Sequence, residues 1–392
     1  MELINPLSYE DDTDDKYIFN LSKETKRGTL SQVHIADLHF GVISPEIQYN
    51  IYKEQILDKI KVLPIDLVSI DGDTFDRKFM SNTDAIRYAN KFIFELVLIC
   101  KAKNITLIII DGTTEHDAGQ LRLFYHYLQD PDLDLRIVEY IKFEYVKGAK
   151  ILCIPEMYGV EESIYRKYLF ESGQYDMCFM HGTIKGAVYK DNVGQGRLFT
   201  IEDFCNCLGP IISGHVHTGG CFYSYFYYTS SPIRWKFGEE SAKGFLIVLY
   251  DMDTRKHYCH LEEVTSFRYD TINLDELISS DPKDIIDYIN TLKEKEGIDY
   301  LRIEFTKDID SNDLDILKTY YRNNGTISFK TDKIHKDKLL IDSENNLYYT
   351  KFSYLFDPNM DDYDKLARYI NDQMGYVYIS GKDIKNIVEE KE

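Results

Sequence analysis

Between residues 31 and 253 short, unbroken apolar runs recur, and each closes on polar residues: QVHIADLH, DLVSIDGD, TLIIIDGT, KILCIPE, DMCFMHG and PIISGHVH. Runs of four to six aliphatic residues without alternation read as strands buried on both faces. Helical spacing lies between them. Tyr49, Tyr52, Ile56 and Ile60 fall three and four apart within 45–61, and a second helical stretch, 84–101, starts through SNTD. The alternation predicts a layered α/β domain, whose chemistry gathers at the carboxyl ends of the strands. CFYSYFYYTSSPIRWKFG, KGFLIVLYDMD and HYCHLEEV read as aromatic-rich meander strands that complete a second sheet. After about residue 270 the pattern becomes αβαβ: Asp281 and Pro282 begin a helix that Gly297 ends, YLRIEF is a strand, Ser311 opens a helix closing at NNG, and TISFK is the next strand. The expected organisation is an N-terminal extension (1–30), a main domain (31–269), a small αβαβ domain (270–339), and a C-terminal region (340–392) that packs against a partner.

Length supports this division, because 392 residues exceed what one core usually supports. A net charge of −20 argues against coating nucleic acid by bulk attraction but leaves room for a local basic site. Seven cysteines without a C-x-x-C pair fit a reducing compartment rather than a disulfide scaffold. MELINPLSYEDDTDD has no apolar core behind a basic head, and the longest apolar stretches fall short of the roughly 20 residues a bilayer requires. The expected location is the cytoplasm, away from any membrane. Abundant Ile, Lys, Asn and Tyr fit an AT-rich genome, and for a virus-encoded chain the location becomes the host cytoplasm.

The candidate chemistry sits where the apolar runs end. Asp37 and His39 stand two apart in ADLHFG, Asp73 lies in DGDTFDR, His181 in FMHG, and His215 and His217 in SGHVHTG. One histidine after a strand is ordinarily a hydrogen-bonded loop residue. Histidines and aspartates ending several strands, with an H-x-H pair among them, point instead to metal ligation. Imidazole with carboxylate suits Mn(II), Fe(II) or Zn(II), whereas magnesium alone prefers oxygen. In extended backbone the outer members of D-x-H and H-x-H share a side. A carboxylate at Asp73 can bridge two metals about 3.5–4 Å apart, an arrangement that clamps a phosphoryl group and generates hydroxide near neutral pH.

In order, these motifs resemble the calcineurin-like metallophosphoesterases: D-x-H, then G-D-x-x-D, then a segment similar to G-N-H-D, then H, then G-H-x-H, over about residues 31–220. DLHFG, GDTFDR and YTSSPIRWKFGEESAKGFLIVLY further resemble the SbcD-type nuclease subunit of the DNA double-strand-break repair complex. The resemblance implies a two-sheet sandwich flanked by helices, followed by a small α+β capping domain that binds DNA. It implies two divalent metals, Mn(II) before others, with Asp37, His39, Asp73 and His217 on the first and Asp73, His181 and His215 on the second. The family's asparagine ligand is absent from DGTTEHD. Aligning on the histidine places Glu115, with Thr114 as the alternative, in the ligand position, His116 as the acid serving the leaving oxygen, and Asp117 as the group orienting that imidazole. Asp76 and Arg77 depart from the histidine some relatives carry there. The implied partners are DNA, an SbcC-like coiled-coil ATPase and, as a further arrangement, a homodimer.

A basic stretch, 317–338, carries Lys318, Arg322, Lys330, Lys333, Lys336 and Lys338 against Asp332 and Asp337, interleaved with Tyr320, Tyr321 and Phe329. Basic groups neutralise phosphates and aromatics stack on frayed bases, although an ordinary solvated helix and strand edge has the same composition. The function expected is therefore a metal-dependent DNA nuclease, exonuclease or endonuclease, serving repair or recombination. The alternatives are a phosphatase or cyclic-nucleotide phosphodiesterase using the same metals, and a binding protein with a retired site.

Overall fold

The structure is a computed structural model that describes residues 28–117, 119–186, 197–239, 241–277, 280–307, 309–322 and 325–331, with 360–361, 363–365, 367, 380, 382 and 385. It divides into two compact units, Met1–Ile272 with Ile286–Arg302 and Asn323–Ser328, and Asn273–Ile285 with Ile303–Arg322 and Phe329–Glu392.

Two six-stranded sheets form the first unit. The first is built from β1 (Thr29–Ile35), β2 (Leu67–Asp71), β3 (Thr106–Ile110) and β4 (Leu135–Val138), which run parallel. The second contains β5 (Lys142–Val146), β6 (Ala149–Ile154), β7 (Met177–His181), β10 (Ile211–Gly214), β11 (Gly220–Phe222) and β12 (Phe226–Tyr228) in the order β11-β12-β10-β7-β6-β5; the short pair β8 (Thr183–Ile184) and β9 (Leu198–Phe199) stands apart. The meander strands are divided between the sheets and do not all complete the second. β13 (Gly244–Asp251) pairs antiparallel with β1, and β14 (Lys256–Glu263) follows it, giving the order β14-β13-β1-β2-β3-β4. β13 is nearly continuous in apolar residues and buried almost throughout, so it needs cover on both faces, and the free edge of β1 supplies its hydrogen bonds.

The packing of the core explains the unbroken apolar runs. Leu67, Ile108 and Ile110 of the first sheet pack with Ile151, Cys153, Met177, Phe179 and Ile212 of the second. Val68, Ile70, Leu107 and Ile109, which alternate with them, face helices instead, packing against Tyr49 and Tyr52 of α1 (Pro45–Tyr52) and Phe92, Ile93 and Leu96 of α3 (Asp84–Lys103). Every position of β2 and β3 is thereby covered. The helical pattern over 45–61 is realised as α1, a π-turn at Lys53–Leu57, and α2 (Asp58–Val62). The α3 N-cap is Thr83, whose hydroxyl accepts from the Ile86 N–H at 3.5 Å. A short helix, α4 (Glu162–Arg166), lies between β6 and β7 and buries Tyr165.

The inner face of the first sheet becomes polar toward its carboxyl end. His34 Nδ1 lies 2.8 Å from the Asp71 carboxylate, Nε2 lies 3.1 Å from Gln32, and the ring meets Phe179 of the facing sheet edge-on. Each group has a partner, which makes burial at this depth tolerable.

Beyond these sheets come β15 (Tyr269–Asn273), α5 (Pro282–Glu296), β16 (Tyr300–Phe305), α6 (Ser311–Tyr320) and β17 (Ile327–Thr331), the strands forming a sheet in the order β15-β16-β17. Among the described residues no helix is long and apolar enough to cross a membrane.

Candidate metal centre

Six strands of the first unit deliver side chains to one place. Asp37 and His39 follow β1, Asp73 follows β2, Thr113 and His116 follow β3, Glu156 follows β6, His181 ends β7, and His215 and His217 follow β10. The loops after β1 and β2 continue to pair: the Asp37 N–H donates to the Gly72 carbonyl at 3.1 Å and the His39 N–H to the Asp73 carbonyl at 3.0 Å. Asp37, His39, Asp73 and His215 all adopt left-handed backbone, with φ of 52°, 45°, 52° and 81°. Non-glycine residues avoid this region, so four at one site mark a place where geometry has been set against local preference. Two glycines make the approach tight enough. A Cβ on Gly72 would stand 2.1 Å from His181 Nδ1, and one on Gly112 would stand 2.1 Å from the Asp73 backbone nitrogen.

The side chains fall into groups that could hold metal ions. Asp37, His39 and His217 form one, Asp73, His181 and His215 a second, and His39, Asp76 and His116 a third, with the ligand atoms of each within 4.8 Å of one another. His39 Nε2 and His217 Nε2 are 3.2 Å apart, and each is 3.8 Å from Asp37 Oδ1. Asp73 Oδ2 stands between the first two groups, 3.7 Å from His39 Nε2 and 3.2 Å from His181 Nε2.

Tautomers decide what these atoms offer. His217 Nδ1 faces Glu239 Oε1 at 3.0 Å, and His181 Nδ1 faces the Asp71 carbonyl at 2.8 Å. Both partners only accept, so each Nδ1 carries a proton and the Nε2 of each ring is turned inward. Carboxylate oxygens and imidazole nitrogens then converge, which is unfavourable unless positive charge, as a proton or a metal ion, lies among them. The electrostatics agree. Burial pushes the His39 imidazole well below its usual range, keeping it neutral. Burial alone would also lower His181, but Asp73 beside it outweighs that and holds it well above the usual imidazole range. A proton on His181 thus stands in for the cation that the two carboxylates demand. Burial raises the Asp37 carboxyl, while at Asp73 the opposing pull of His181 and His39 wins and holds it below the usual carboxylate range. Two donors each about 2.1 Å from one ion stand roughly 3.0–3.4 Å apart in octahedral or tetrahedral geometry. The closest inward-facing pairs, at 3.2 Å, fit this spacing.

Two expectations need correction. Glu115 does not join the second group. The loop after β3 turns back, with the N–H groups of His116 and Asp117 both donating to the Thr113 carbonyl at 2.9 Å. That turn faces Thr113 inward and leaves Thr114 and Glu115 exposed, and the Glu115 carboxylate accepts from Tyr158 Oη at 3.3 Å. In its place stand Thr113 Oγ1, 3.2 Å from Asp73 Oδ2 and 3.4 Å from His181 Nε2, and Glu156 Oε2, 3.2 Å from His215 Nδ1 and 3.8 Å from His181 Nε2. Nor does Asp117 orient His116. Fully buried, it requires donors, and it takes the N–H groups of Gly112 at 2.8 Å and Phe75 at 3.1 Å, tying the loop after β3 to the loop after β2. His116 is held instead through Nδ1 by the Asp76 carbonyl, which leaves Nε2 4.0 Å from Asp73 Oδ2.

Glu156, Thr113 and Glu239 were not singled out in the sequence. KILCIPE ends a buried strand on an acid as DLVSIDGD does, and that signal could have found Glu156. Nothing local marks Thr113. Glu239 is buried against His217 and Lys243, and the Lys243 ammonium, its pKa pushed down to about 8 by burial, also donates to the His217 carbonyl at 2.7 Å. A cavity of about 340 Å³ opens over this cluster, its lining including His39, Asp73, His116, His217, Trp235 and Lys236.

The basic stretch is separate. Lys318 and Arg322 are exposed, Lys330 pairs with Glu304 at 3.0 Å, and Tyr321 is buried against Phe329. Lys333, Lys336 and Lys338 lie outside the described residues.

No protein-family model matches the chain, and no curated protein matches it. Among solved structures it is similar to a mutant of a cold-active protein tyrosine phosphatase, at 14% identity and a TM-score of 0.31, covering 67% of this chain and 88% of that one. Another crystal structure matches at 12% identity and a TM-score of 0.36, covering 60% of this chain and 100% of that one.

Proposed function

We propose that the chain is a metal-dependent phosphodiesterase acting on DNA, a nuclease that holds two divalent ions, Mn(II) before others. The carrying observation is the convergence of imidazole and carboxylate atoms from six strand ends around Asp73. Asp37, His39, Asp73 and His217 would hold one ion; Asp73, His181, His215, Glu156 and Thr113 would hold the other. Bound there, the ions would supply positive charge that polarises a phosphoryl group and makes water acidic enough to attack near neutral pH.

The chain's own groups do the rest. Left-handed backbone at Asp37, His39, Asp73 and His215 presets the donors, so little reorganisation follows substrate arrival. His116 Nε2, with Nδ1 anchored on the Asp76 carbonyl, faces the cavity and can hold a proton where a leaving oxygen would need it. Asp117 keeps the loop bearing His116 at a set distance from Asp73. An SbcC-like ATPase as partner is part of the same proposal, supported by the SSPIRWKFGEE segment and the region after residue 270. A second reading, hydrolysis of a small phosphodiester or monoester, is favoured by the cavity, whose volume of about 340 Å³ suits one nucleotide.

The test is hydrolysis of linear duplex, hairpin duplex and a chromogenic phosphodiester with Mn(II), Mg(II) and chelator. Mn(II)-dependent DNA cleavage that Asp73→Ala abolishes is expected. Cleavage of the small ester alone selects the second reading, and Asp73→Ala matching the parent in activity and metal content overturns both.

A further inference from the structure

The cavity over the metal centre is polar on every side but one. His39, Asp73, Thr113, His116 and Lys236 are ionisable or hydrogen-bonding, as is each of its other lining residues, and Trp235 alone adds a broad indole face. Trp235 is the chain's single tryptophan, and it is half-buried. Its ring lies 5.0 Å from the His39 ring and 4.8 Å from the His217 ring, inclined at 61° and 66° and stacked on neither. The segment that carries it is fastened on both sides. Ile233 is fully buried in the core, the Arg234 N–H donates to Ser266 Oγ at 3.1 Å, and Glu239 and Lys243 grip His217. The indole, packed against the core, is therefore an aromatic wall beside two imidazoles that would hold a metal.

A ligand made only of phosphate and metal has no use for such a wall. A ligand joining a phosphate to a flat, weakly polar ring uses both halves of the cavity. We propose that Trp235 is the platform of a nucleobase subsite, on which the base next to the scissile phosphate stacks, with Lys236 at its rim toward the phosphate backbone. The proposal rests on the phosphodiesterase reading and names its substrate: a phosphodiester with a base on at least one side. Stacking on an aromatic ring tolerates every base, so the subsite would impose little sequence preference.

Two esters with the same leaving group separate the readings: thymidine 5′-(4-nitrophenyl phosphate), which carries a base, and methyl 4-nitrophenyl phosphate, which does not. The expected result is that Trp235→Leu lowers the ratio of kcat/KM for the thymidine ester over the methyl ester by about 5- to 150-fold, the worth of one stacked base, and that Trp235→Phe restores most of it. An unchanged ratio in Trp235→Leu, with both esters losing equally, shows that the indole only shields the imidazoles and overturns the subsite. Because Trp235 is the sole tryptophan, the parent also reports directly: thymidylyl-thymidine should quench its fluorescence in chelator, and dimethyl phosphate should not. Quenching without hydrolysis of either ester in Mn(II) means the phosphodiesterase reading fails and the subsite stands. Hydrolysis without quenching or base preference means the reverse.

Discussion

Asp111 closes β3 with its backbone N–H donating to the Val138 carbonyl at 2.9 Å, while its side-chain Oδ1 is buried without a partner among the described residues. Burial, then Glu139 and Asp73, push its carboxyl from the usual 3.8 to about 7. Between those two values the folded chain keeps a proton that the unfolded chain has released. Stability therefore falls as pH rises through this window, and above about 7 the whole penalty is present. At about 1.4 kcal/mol per pH unit the penalty is on the order of 4 kcal/mol, and nearer 2 kcal/mol once screening on the open side is allowed for. Asp111→Asn keeps the shape and removes the charge. Urea unfolding in chelator, followed through the Trp235 fluorescence, should show the variant more stable than the parent by roughly 2–4 kcal/mol at pH 8 and equal to it near pH 4. Saturating Mn(II) should narrow the gap, because cations at the proposed centre around Asp73 would favour the ionised carboxylate. A stability difference that is the same at pH 4 and pH 8 would refute the reasoning, since it would show that the charge of Asp111 carries no cost.

Three further outcomes follow from the site. His116→Ala should keep the metal content of the parent and lose about 10²- to 10⁴-fold in activity; metal analysis of the purified variant checks this, and lost metal would make His116 a ligand. Glu239→Gln should weaken metal binding by about 10- to 100-fold, because the carboxylate that fixes the His217 tautomer is gone; isothermal titration with Mn(II) reads it, and unchanged affinity refutes it. Replacing Lys330, Lys333 and Lys336 should flatten the slope of log affinity for duplex DNA against log salt by about 0.9 for each phosphate that is no longer neutralised, whereas an unchanged slope makes the stretch an ordinary solvated face.

The strands were legible because both faces are covered: Ile108 and Ile109 point to opposite layers, yet both must be apolar, and the run TLIII records this. The aspartates and histidines ending those strands were legible for the same reason, since polar residues directly after a buried run stand at a sheet's edge. What escaped was long-range. KGFLIVLY reads as a strand whichever sheet takes it, and its pairing with β1 depends on an edge more than 200 residues earlier in the chain. Glu115 was expected as a ligand through alignment on His116, but the turn closed on the Thr113 carbonyl decides which residue faces inward, and an alignment by residue type does not contain that hydrogen bond. Asp117 was placed beside His116 by adjacency, whereas its burial sends it to the backbone of Phe75, 42 residues away.

The left-handed backbone at Asp37, His39, Asp73 and His215 bears on how this protein would respond to selection. An L-residue there costs roughly 1–2 kcal/mol of backbone energy that glycine would not, set against contacts that glycine lacks, such as the Asp37 carboxylate accepting from the His215 N–H at 3.1 Å. A laboratory screen for thermal tolerance alone places no requirement on turnover and would let the groups around Asp73 drift. Coupling such a screen to a measure of turnover would keep the four residues and direct stabilising changes to the sheets beneath them.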